Sequence, residues 1–332
     1  MKKSPIVGAL AAGVALALAA CSGGGGGSAA EPSNSSAPAV VKVAAVGIMS
    51  DVTLDIAKEQ GYLDEENIAI EVTKVAAPPA GLAALQGGQV DVAFSPGVVF
   101  VNARSQNVPV VVVAGASGFP EDVPKGPELD KYDDTGVYVN PDSGITDLKQ
   151  LEGKSIAINA RKANLEATTS QALLDAGVDP KNINWVALDF TSMVEALKTG
   201  KVDAAVPVNP FTLRAEDEGM KRINSPATSF FGPGASSYWL TSEKIAKDKK
   251  GLIEAFHRAI LKANDYANKH LDESIAAGVK VAGLDIPVEK AGKIYWPMKV
   301  VQDDVDLINE NLVKIGFLDK PANLKDVILP QP

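Results

Sequence analysis

The nine residues Leu85-Gln-Gly-Gly-Gln-Val-Asp-Val-Ala, at positions 85–93, contain the pattern that decides the fold. A helical stretch ends here, two glycines stop it, and the apolar run that follows predicts a strand starting near Asp91. The stretch Leu197-Lys-Thr-Gly-Lys-Val-Asp-Ala-Ala, at positions 197–205, repeats this order. Any α/β protein can reuse such a junction, but the repeat favours two related lobes. We expect Asp91 and Asp203 to bond local backbone at the strand starts and not a ligand.

Strand and helix patterns alternate on both sides of this junction. β-branched runs alternate with helical stretches up to residue 114, and the alternation restarts at residue 135. Such alternation predicts a mainly parallel sheet with helices on its faces in each half. Residues after 242 are mostly helical in pattern. We predict lobe 1 at 40–117 and 235–332, lobe 2 at 135–225, and interlobe crossings at 118–134 and 226–234.

The N-terminus has the composition of a lipoprotein leader. Two lysines precede an apolar stretch at 6–20, which is shorter than the roughly 20 residues that a membrane-spanning helix needs. It ends in Leu18-Ala-Ala-Cys21, which resembles a bacterial lipobox. We therefore predict a signal peptide at 1–20, lipidation of Cys21 and a flexible Gly/Ser/Pro-rich tether at 21–39. The alternative is a chance cysteine after an ordinary secretory leader.

The composition is that of a globular body and excludes several classes of site. Hydrophobic residues make up 46% of the 332-residue chain, and the formal net charge of −9 disfavours nucleic acid as a partner. Cys21 is the only cysteine. The lipidated chain therefore has neither an internal disulfide nor a cysteine metal site, and we predict no cofactor and no metal.

Several motifs, in this order and spacing, resemble one family of substrate-binding proteins. The stretches are Ile56-Ala-Lys-Glu-Gln-Gly-Tyr-Leu, Gly87-Gly-Gln-Val-Asp-Val-Ala-Phe-Ser, Leu148-Lys-Gln-Leu-Glu-Gly-Lys, Ala196-Leu-Lys-Thr-Gly-Lys-Val-Asp-Ala-Ala, and Pro210-Phe211 before Arg214-Ala215. They are similar to the NMT1/THI5-like group, which is related to the uptake of sulfonates, taurine, nitrate and thiamine precursors. The resemblance covers residues 40–223 clearly and the helical tail loosely.

The resemblance implies an α/β type II periplasmic-binding-protein fold, with two α/β lobes, a two-crossing hinge and a helical C-terminal tail. Ligand would bind in the cleft between the lobes, and the lobes would close on it. The expected function is the solute-binding component of an ABC importer, with a permease and an ATPase as partners. We expect a monomer held by its lipid at the outer face of the cytoplasmic membrane.

Candidate ligand contacts follow from a general rule, because open α/β sheets bind ligands outside the carboxyl ends of their strands. Helix N-termini in these loops suit anions. Arg161 adds a planar fork that fits an anion, so we predict a small, anionic organic solute. The classes in question are sulfonates, aromatic carboxylates, nitrate-like solutes and pyrimidines. The candidate residues are Met49, Ser50, Asp51, Ser95, Pro96, Asn159, Arg161, Asn164, Asp189, Thr191, Asn209, Phe211 and Tyr238.

Most of these residues have a structural alternative. Asp51 and Ser95 are also placed to cap helices, and Arg161 is placed to be a solvated loop charge. The aromatic residues Phe211 and Tyr238 fit either a cleft wall or the core. At position 209 we expect an acidic residue in relatives of this kind, so the neutral amide of Asn209 argues against a cationic ligand.

Two other functions compete with transport. An enzyme of thiamine-pyrimidine biosynthesis would need a cleft histidine and a cysteine-rich motif, whereas both histidines here, His257 and His270, lie in the C-terminal tail. A ligand-sensing lipoprotein that signals to a membrane partner would have the same fold and leader. The sequence does not separate this second alternative from transport.

Overall fold

The computed structural model describes residues 37–123, 126–285, 287 and 293–331. The predicted signal peptide, Cys21 and most of the tether lie outside these residues. Within them, every helix is too short or too polar to span a membrane.

Ten strands of the described chain form two five-stranded sheets. The strands are β1 (Ala39–Ala45), β2 (Ile68–Lys74), β3 (Val92–Pro96), β4 (Val110–Phe119), β5 (Val137–Val139), β6 (Ser155–Ile158), β7 (Asn184–Ala187), β8 (Ala204–Ala205), β9 (Lys221–Asn224) and β10 (Gly234–Ser242). The first sheet has the order β2-β1-β3-β10-β4, and the second has the order β7-β6-β8-β5-β9. We call the halves built on these sheets lobe 1 and lobe 2.

Each sheet combines parallel strands with one antiparallel strand in its interior. In lobe 1, β1 runs parallel to β2 and β3, and β10 runs antiparallel to β3 and β4. In lobe 2, β6 runs parallel to β7 and β8, and β5 runs antiparallel to β8 and β9. The starts of β5 and β10 therefore lie beside the carboxyl ends of the strands next to them, which run in the opposite direction.

Thirteen α-helices connect and cover the sheets within the described chain. They are α1 (Val52–Glu59), α2 (Tyr62–Glu65), α3 (Pro78–Gln86), α4 (Gly97–Ser105), α5 (Pro127–Asp130), α6 (Asn164–Asp175), α7 (Phe190–Lys198), α8 (Phe211–Asp217), α9 (Ala227–Phe230), α10 (Glu243–Asp248), α11 (Lys250–Lys269), α12 (Leu271–Val281) and α13 (Gln302–Lys314). Short 3₁₀ helices occupy Met49–Asp51, Pro141–Ser143, Leu148–Leu151 and Pro180–Asn182.

The core of lobe 1 explains why the chain returns to this lobe after building lobe 2. All ten residues of β4 are buried, and helix α11 packs its apolar side on the same sheet. Trp239 of β10 is fully buried and makes edge contacts with Phe94 and Phe256, at centroid distances of 5.9 and 6.1 Å. The interior strand β10 and the helical tail thus complete a core that residues 37–119 begin.

Two connections cross between the lobes and are bonded to each other. The first leads from β4 to β5 and the second from β9 to β10. The buried Asp133 carboxylate in the first crossing accepts a bond of 2.8 Å from the Ala227 backbone N–H in the second. The Arg222 guanidinium donates to the backbone oxygens of Asp133 and Thr135. The predicted architecture of two α/β lobes joined by two crossings is confirmed.

The predicted structural role of Asp91 and Asp203 is also confirmed. The Asp91 carboxylate accepts a hydrogen bond of 3.1 Å from the Lys42 backbone N–H, and the Asp203 carboxylate accepts one of 2.8 Å from the Ser155 backbone N–H. Each bond ties the start of one strand to its parallel neighbour, so the repeated motif has the same use in both lobes.

Candidate functional site

The two lobes contact each other directly across the cleft. The side-chain oxygen of Asn164, at the start of α6 in lobe 2, accepts a bond of 3.2 Å from the Val98 backbone N–H in the first turn of α4. Further bonds across the cleft run from the Met49 N–H to the Asn209 carbonyl at 3.2 Å, and from the Asn102 side-chain amide to the Lys162 carbonyl at 2.7 Å. These bonds hold the lobes in a closed arrangement.

A cavity of about 50 Å³ lies between the closed lobes. One water needs roughly 10–15 Å³, so the space suits a few waters or a small solute. Both sheets contribute to its lining, which is Val46, Ile48, Ser50, Pro78, Phe94, Pro96, Ser117, Asp134, Thr135, Asn159, Ala163, Asn164, Leu165, Phe190, Val208, Ala227, Phe231, Ser236 and Ser237. Three aromatic rings and several hydroxyl and amide groups therefore surround one small space.

Asp134 supplies the only charged side chain in this lining, which contains no lysine or arginine among the described residues. The residue is half-buried, and its carboxylate forms no ion pair within the described chain. Burial raises the pKa of Asp134 to about 7, and the neighbouring Asp133 carboxylate adds to the rise, while the Arg222 charge opposes it. The one charge that the side chains of the described lining can carry is therefore negative.

Four predicted contacts do line the cavity. Ser50 and Pro96 come from lobe 1, and Asn159 and Asn164 come from lobe 2. The Asn159 side-chain oxygen is buried and has no hydrogen-bond partner in the described chain. The rule that placed ligand contacts after the parallel strands thus brings residues of both lobes together.

The other predicted residues of the first lobe serve the protein framework. Met49 is fully buried and packs on Gly278 of α12. Ser95 is fully buried, and its hydroxyl bonds the next carbonyl at 3.1 Å. Tyr238 is also fully buried, with its ring edge-on to Phe100.

Asp51 has a role that differs from the predicted N-cap. Its carboxylate makes no forward bond into α1 and instead accepts from three preceding backbone N–H groups, those of Val46 at 2.9 Å, Gly47 at 2.5 Å and Ile48 at 3.2 Å. The loop turns back on itself so tightly that the carboxylate reaches these amides before the helix. Burial raises the pKa of Asp51 to about 6, although the three amide bonds oppose the rise.

The remaining predicted residues of the second lobe lie behind or beside the cavity. Asp189 caps α7, accepting from the Ser192 backbone N–H at 2.9 Å, and Thr191 is exposed. Asn209 is buried, and its side-chain oxygen accepts from the Thr212 hydroxyl. Phe211 stacks on Phe190, a cavity residue, with centroids 5.2 Å apart. Phe211 therefore packs behind the cavity wall and does not line the cavity itself.

Arg161 lies outside the cavity, in a separate surface groove that Lys162 and Phe317 also line. Its guanidinium makes a bidentate ion pair with the buried Glu166, with both N–O distances at 3.0 Å. The fork that suggested an anion site therefore holds a carboxylate of the protein itself. Glu166 follows only five residues later, in the first turn of α6, so the pairing had a local signal in the sequence.

The cavity also contains residues that the sequence reasoning missed. Asp134 and Thr135 precede β5, while Ser236 and Ser237 lie in the first half of β10. The rule that ligands bind beyond the carboxyl ends of strands does not select these residues. They lie at the amino ends of β5 and β10, which run antiparallel to their neighbours. Asp134 was instead assigned to a crossing.

Comparison with known proteins fits this geometry. A profile of the family described as NMT1/THI5 like matches residues 52–120 and 129–274. The chain belongs to the NMT1/THI5-like family. One relative is a Bacillus subtilis (strain 168) protein provisionally named as an aliphatic sulfonates-binding protein, 25% identical over 301 residues, covering 87% of this chain and 86% of the relative. Another, from Brachyspira hyodysenteriae and provisionally named as an ABC transporter periplasmic binding protein, is 28% identical over 253 residues, covering 75% and 72%.

Solved structures show the same fold for this NMT1/THI5-like chain. The alkanesulfonate-binding protein SsuA from Xanthomonas axonopodis pv. citri, bound to MOPS, aligns with a TM-score of 0.69 at 16% identity, over 89% of this chain and 99% of that chain. The prediction of the family and of a type II periplasmic-binding-protein fold is confirmed.

Proposed function

We propose that this protein is the extracytoplasmic solute-binding component of an ABC importer. It would capture a small solute between its lobes by closing on it and would deliver the solute to a membrane permease. The names of its relatives support this proposal, since one is a sulfonate-binding protein and another an ABC transporter binding protein by name.

The single observation that carries the proposal is a cavity lined jointly by both lobes, with hydrogen bonds across the cleft beside it. A ligand can shift an open–closed equilibrium only through contacts that differ between the two states. Here Ser50 and Pro96 would contact the ligand from one lobe and Asn159 and Asn164 from the other, with Asp134 at the end of the first crossing. The crossings at 118–134 and 226–234 would act as the hinge.

Anchoring completes the proposed transport role. A lipid on Cys21 and the tether at 21–39 would keep the binding lobes, as a monomer, near a permease and its ATPase at the outer face of the cytoplasmic membrane. We infer binding without catalysis, because the relatives of this chain are binding proteins by name. His257 is buried in α11, and burial lowers its pKa to about 4.

The proposal can be tested without knowing the solute. The purified full-length chain is incubated with the small-molecule fraction of its source cells, freed of unbound material and unfolded, and the released solute is identified by mass spectrometry. We expect stoichiometric capture by the native chain and loss of capture in Ser237→Phe, which fills the cavity. Thr73→Phe, on the exposed face of strand β2, is the matched control.

Uptake separates transport from sensing. Cells that lack this protein should lose uptake of the captured solute and regain it with the native chain but not with Ser237→Phe. Normal uptake in the deletion strain, combined with stoichiometric capture, would favour the sensing alternative. Conversion of the solute during incubation would favour an enzyme.

A further inference from the structure

Two side-chain acceptors that line the cavity have no side-chain partner in the described chain. The Asp134 carboxylate lines it without an ion pair in the described chain, and the buried Asn159 side-chain oxygen has no donor there. A buried acceptor left without a donor costs about 1–3 kcal/mol. A bound solute that supplies donors would remove this cost.

Some of the hydroxyl donors around the cavity are already committed. The Thr135 hydroxyl donates to the Asp133 carboxylate at 2.7 Å, and the Ser236 hydroxyl donates to the Ser117 carbonyl at 3.3 Å. Neither is free to bind an anionic solute without breaking a protein bond.

Two backbone amides at helix starts are committed as well. An anion would be expected at such amides. Here the Met49 N–H, which begins the 3₁₀ turn before α1, donates to the Asn209 carbonyl, and the Val98 N–H of α4 donates to Asn164. Closure therefore uses two helix-start amides beside the cavity, and no lysine or arginine of the described chain lines it.

We propose that the solute carries a cationic nitrogen donor, a protonated amine or amidine, received by the Asp134 carboxylate with the Asn159 side-chain oxygen as a second acceptor. This inference rests on the proposed solute-binding function and specifies the chemistry of its ligand. It departs from the expectation of an anionic solute, which rested on Arg161 and on the helix N-termini. Asn209 is neutral, and Asp134 supplies an acidic group in its place. The two residues are adjacent, because the Asn209 backbone N–H donates to the Asp134 backbone oxygen.

The electrostatics of Asp134 add a pH signature. Its neighbours Asp133 and Arg222 oppose each other, and burial leaves the pKa of Asp134 at about 7. A bound cation would favour the ionised carboxylate, so binding would release a proton below neutral pH. Affinity for a cation that does not itself titrate should then fall below pH 7, approaching about tenfold per pH unit. An anionic solute should show the opposite trend.

The first test uses acetamidinium and ethanesulfonate as probes of the two classes, titrated by calorimetry into the full-length chain at pH 5.5 and 8. We expect binding of acetamidinium, weaker at pH 5.5, and loss of at least tenfold in affinity in Asp134→Asn. The matched control Asp142→Asn, exposed in lobe 2, should bind like the native chain. Circular dichroism of both variants checks that they are folded.

The second readout is the captured solute itself, from the assay described for the proposed function. A solute with a basic nitrogen, lost in Asp134→Asn but kept in Asp142→Asn, supports the inference. A captured sulfonate, nitrate or carboxylate, held equally well or better by Asp134→Asn, overturns the inference and leaves the binding function standing. If the native chain captures no solute and binds neither probe, the proposed function fails, and this inference fails with it.

Discussion

The Asn164 side-chain oxygen and the Val98 backbone N–H, 3.2 Å apart, join the two lobes at the edge of the cavity. Each belongs to the first turn of a helix, α6 in one lobe and α4 in the other. The bond exists only when the cleft is closed. It therefore offers a direct way to change the balance between open and closed forms.

We expect Asn164→Ala to open the cleft. Loss of one hydrogen bond should disfavour the closed form by about 1 kcal/mol, which corresponds to roughly fivefold in population. Small-angle X-ray scattering of the full-length chain should show a larger radius of gyration. Asn182→Ala is the control, since Asn182 bonds Glu152 within the same lobe. Equal radii for the native chain and Asn164→Ala would argue against closure through this bond.

Asp51 should be a large contributor to stability, because three buried backbone amides depend on one of its oxygens. We expect Asp51→Ala to lower the free energy of unfolding by about 2–4 kcal/mol, since the amides lose their acceptor. Asp51→Asn keeps an oxygen and should lose less. Denaturant titration measures both. Asp55→Ala, one turn along α1 and exposed, should change stability by less than about 0.5 kcal/mol.

Arg161 should stabilise lobe 2 without affecting solute binding. Arg161→Ala leaves the buried Glu166 carboxylate without its bidentate partner, and we expect a loss of about 1–2 kcal/mol in unfolding free energy. Arg161→Lys keeps the charge but not the fork, so its loss should be intermediate. Solute affinity should stay within about twofold of the native value. A large loss of affinity in folded Arg161→Ala would return this residue to the binding site.

The sequence was sufficient for the features that depend on local patterns. The repeated junction around Asp91 and Asp203 places a glycine stop and a carboxylate before a strand, and both carboxylates do bond the neighbouring strand. The carboxylate of this motif bonds only the strand next to it in the sheet, so its role depends on a local arrangement. This is why the α/β class and the two-lobe organisation follow from the sequence.

The site was harder to predict because it depends on strand direction. A pattern of alternating residues indicates a strand but not which way it runs in the sheet. Asp134 and Ser237 precede or begin strands, and they reach the cavity only because β5 and β10 run against their neighbours. Side-chain partners at a distance, such as Phe100 for Tyr238, equally require the tertiary structure.

The stability of the protein should depend on Asp134 in a way that reverses the usual behaviour of carboxylates. Its pKa rises from 3.8 to about 7 on folding, so the folded state holds a proton more tightly than the unfolded state does. Stability attributable to this group is therefore present below pH 4 and is lost as pH rises toward 7. The full shift corresponds to about 4 kcal/mol, which partial exposure of the side chain reduces to about 1–2 kcal/mol.

Asp134→Asn removes that pH-dependent loss, because the amide does not titrate. We expect the variant to match the native chain at pH 4.5 and to exceed its unfolding free energy by about 1–2 kcal/mol at pH 8, without added solute. Denaturant titrations at both pH values measure the difference, with Asp142→Asn as the exposed control. Asp51 and Asp304, whose pKa values burial raises to about 6, titrate in both proteins and cancel in the comparison. If Asp134→Asn were less stable than the native chain at pH 8, the Asp134 carboxylate would have a stabilising partner within the protein. A carboxylate with such a partner would not be available to a cationic solute.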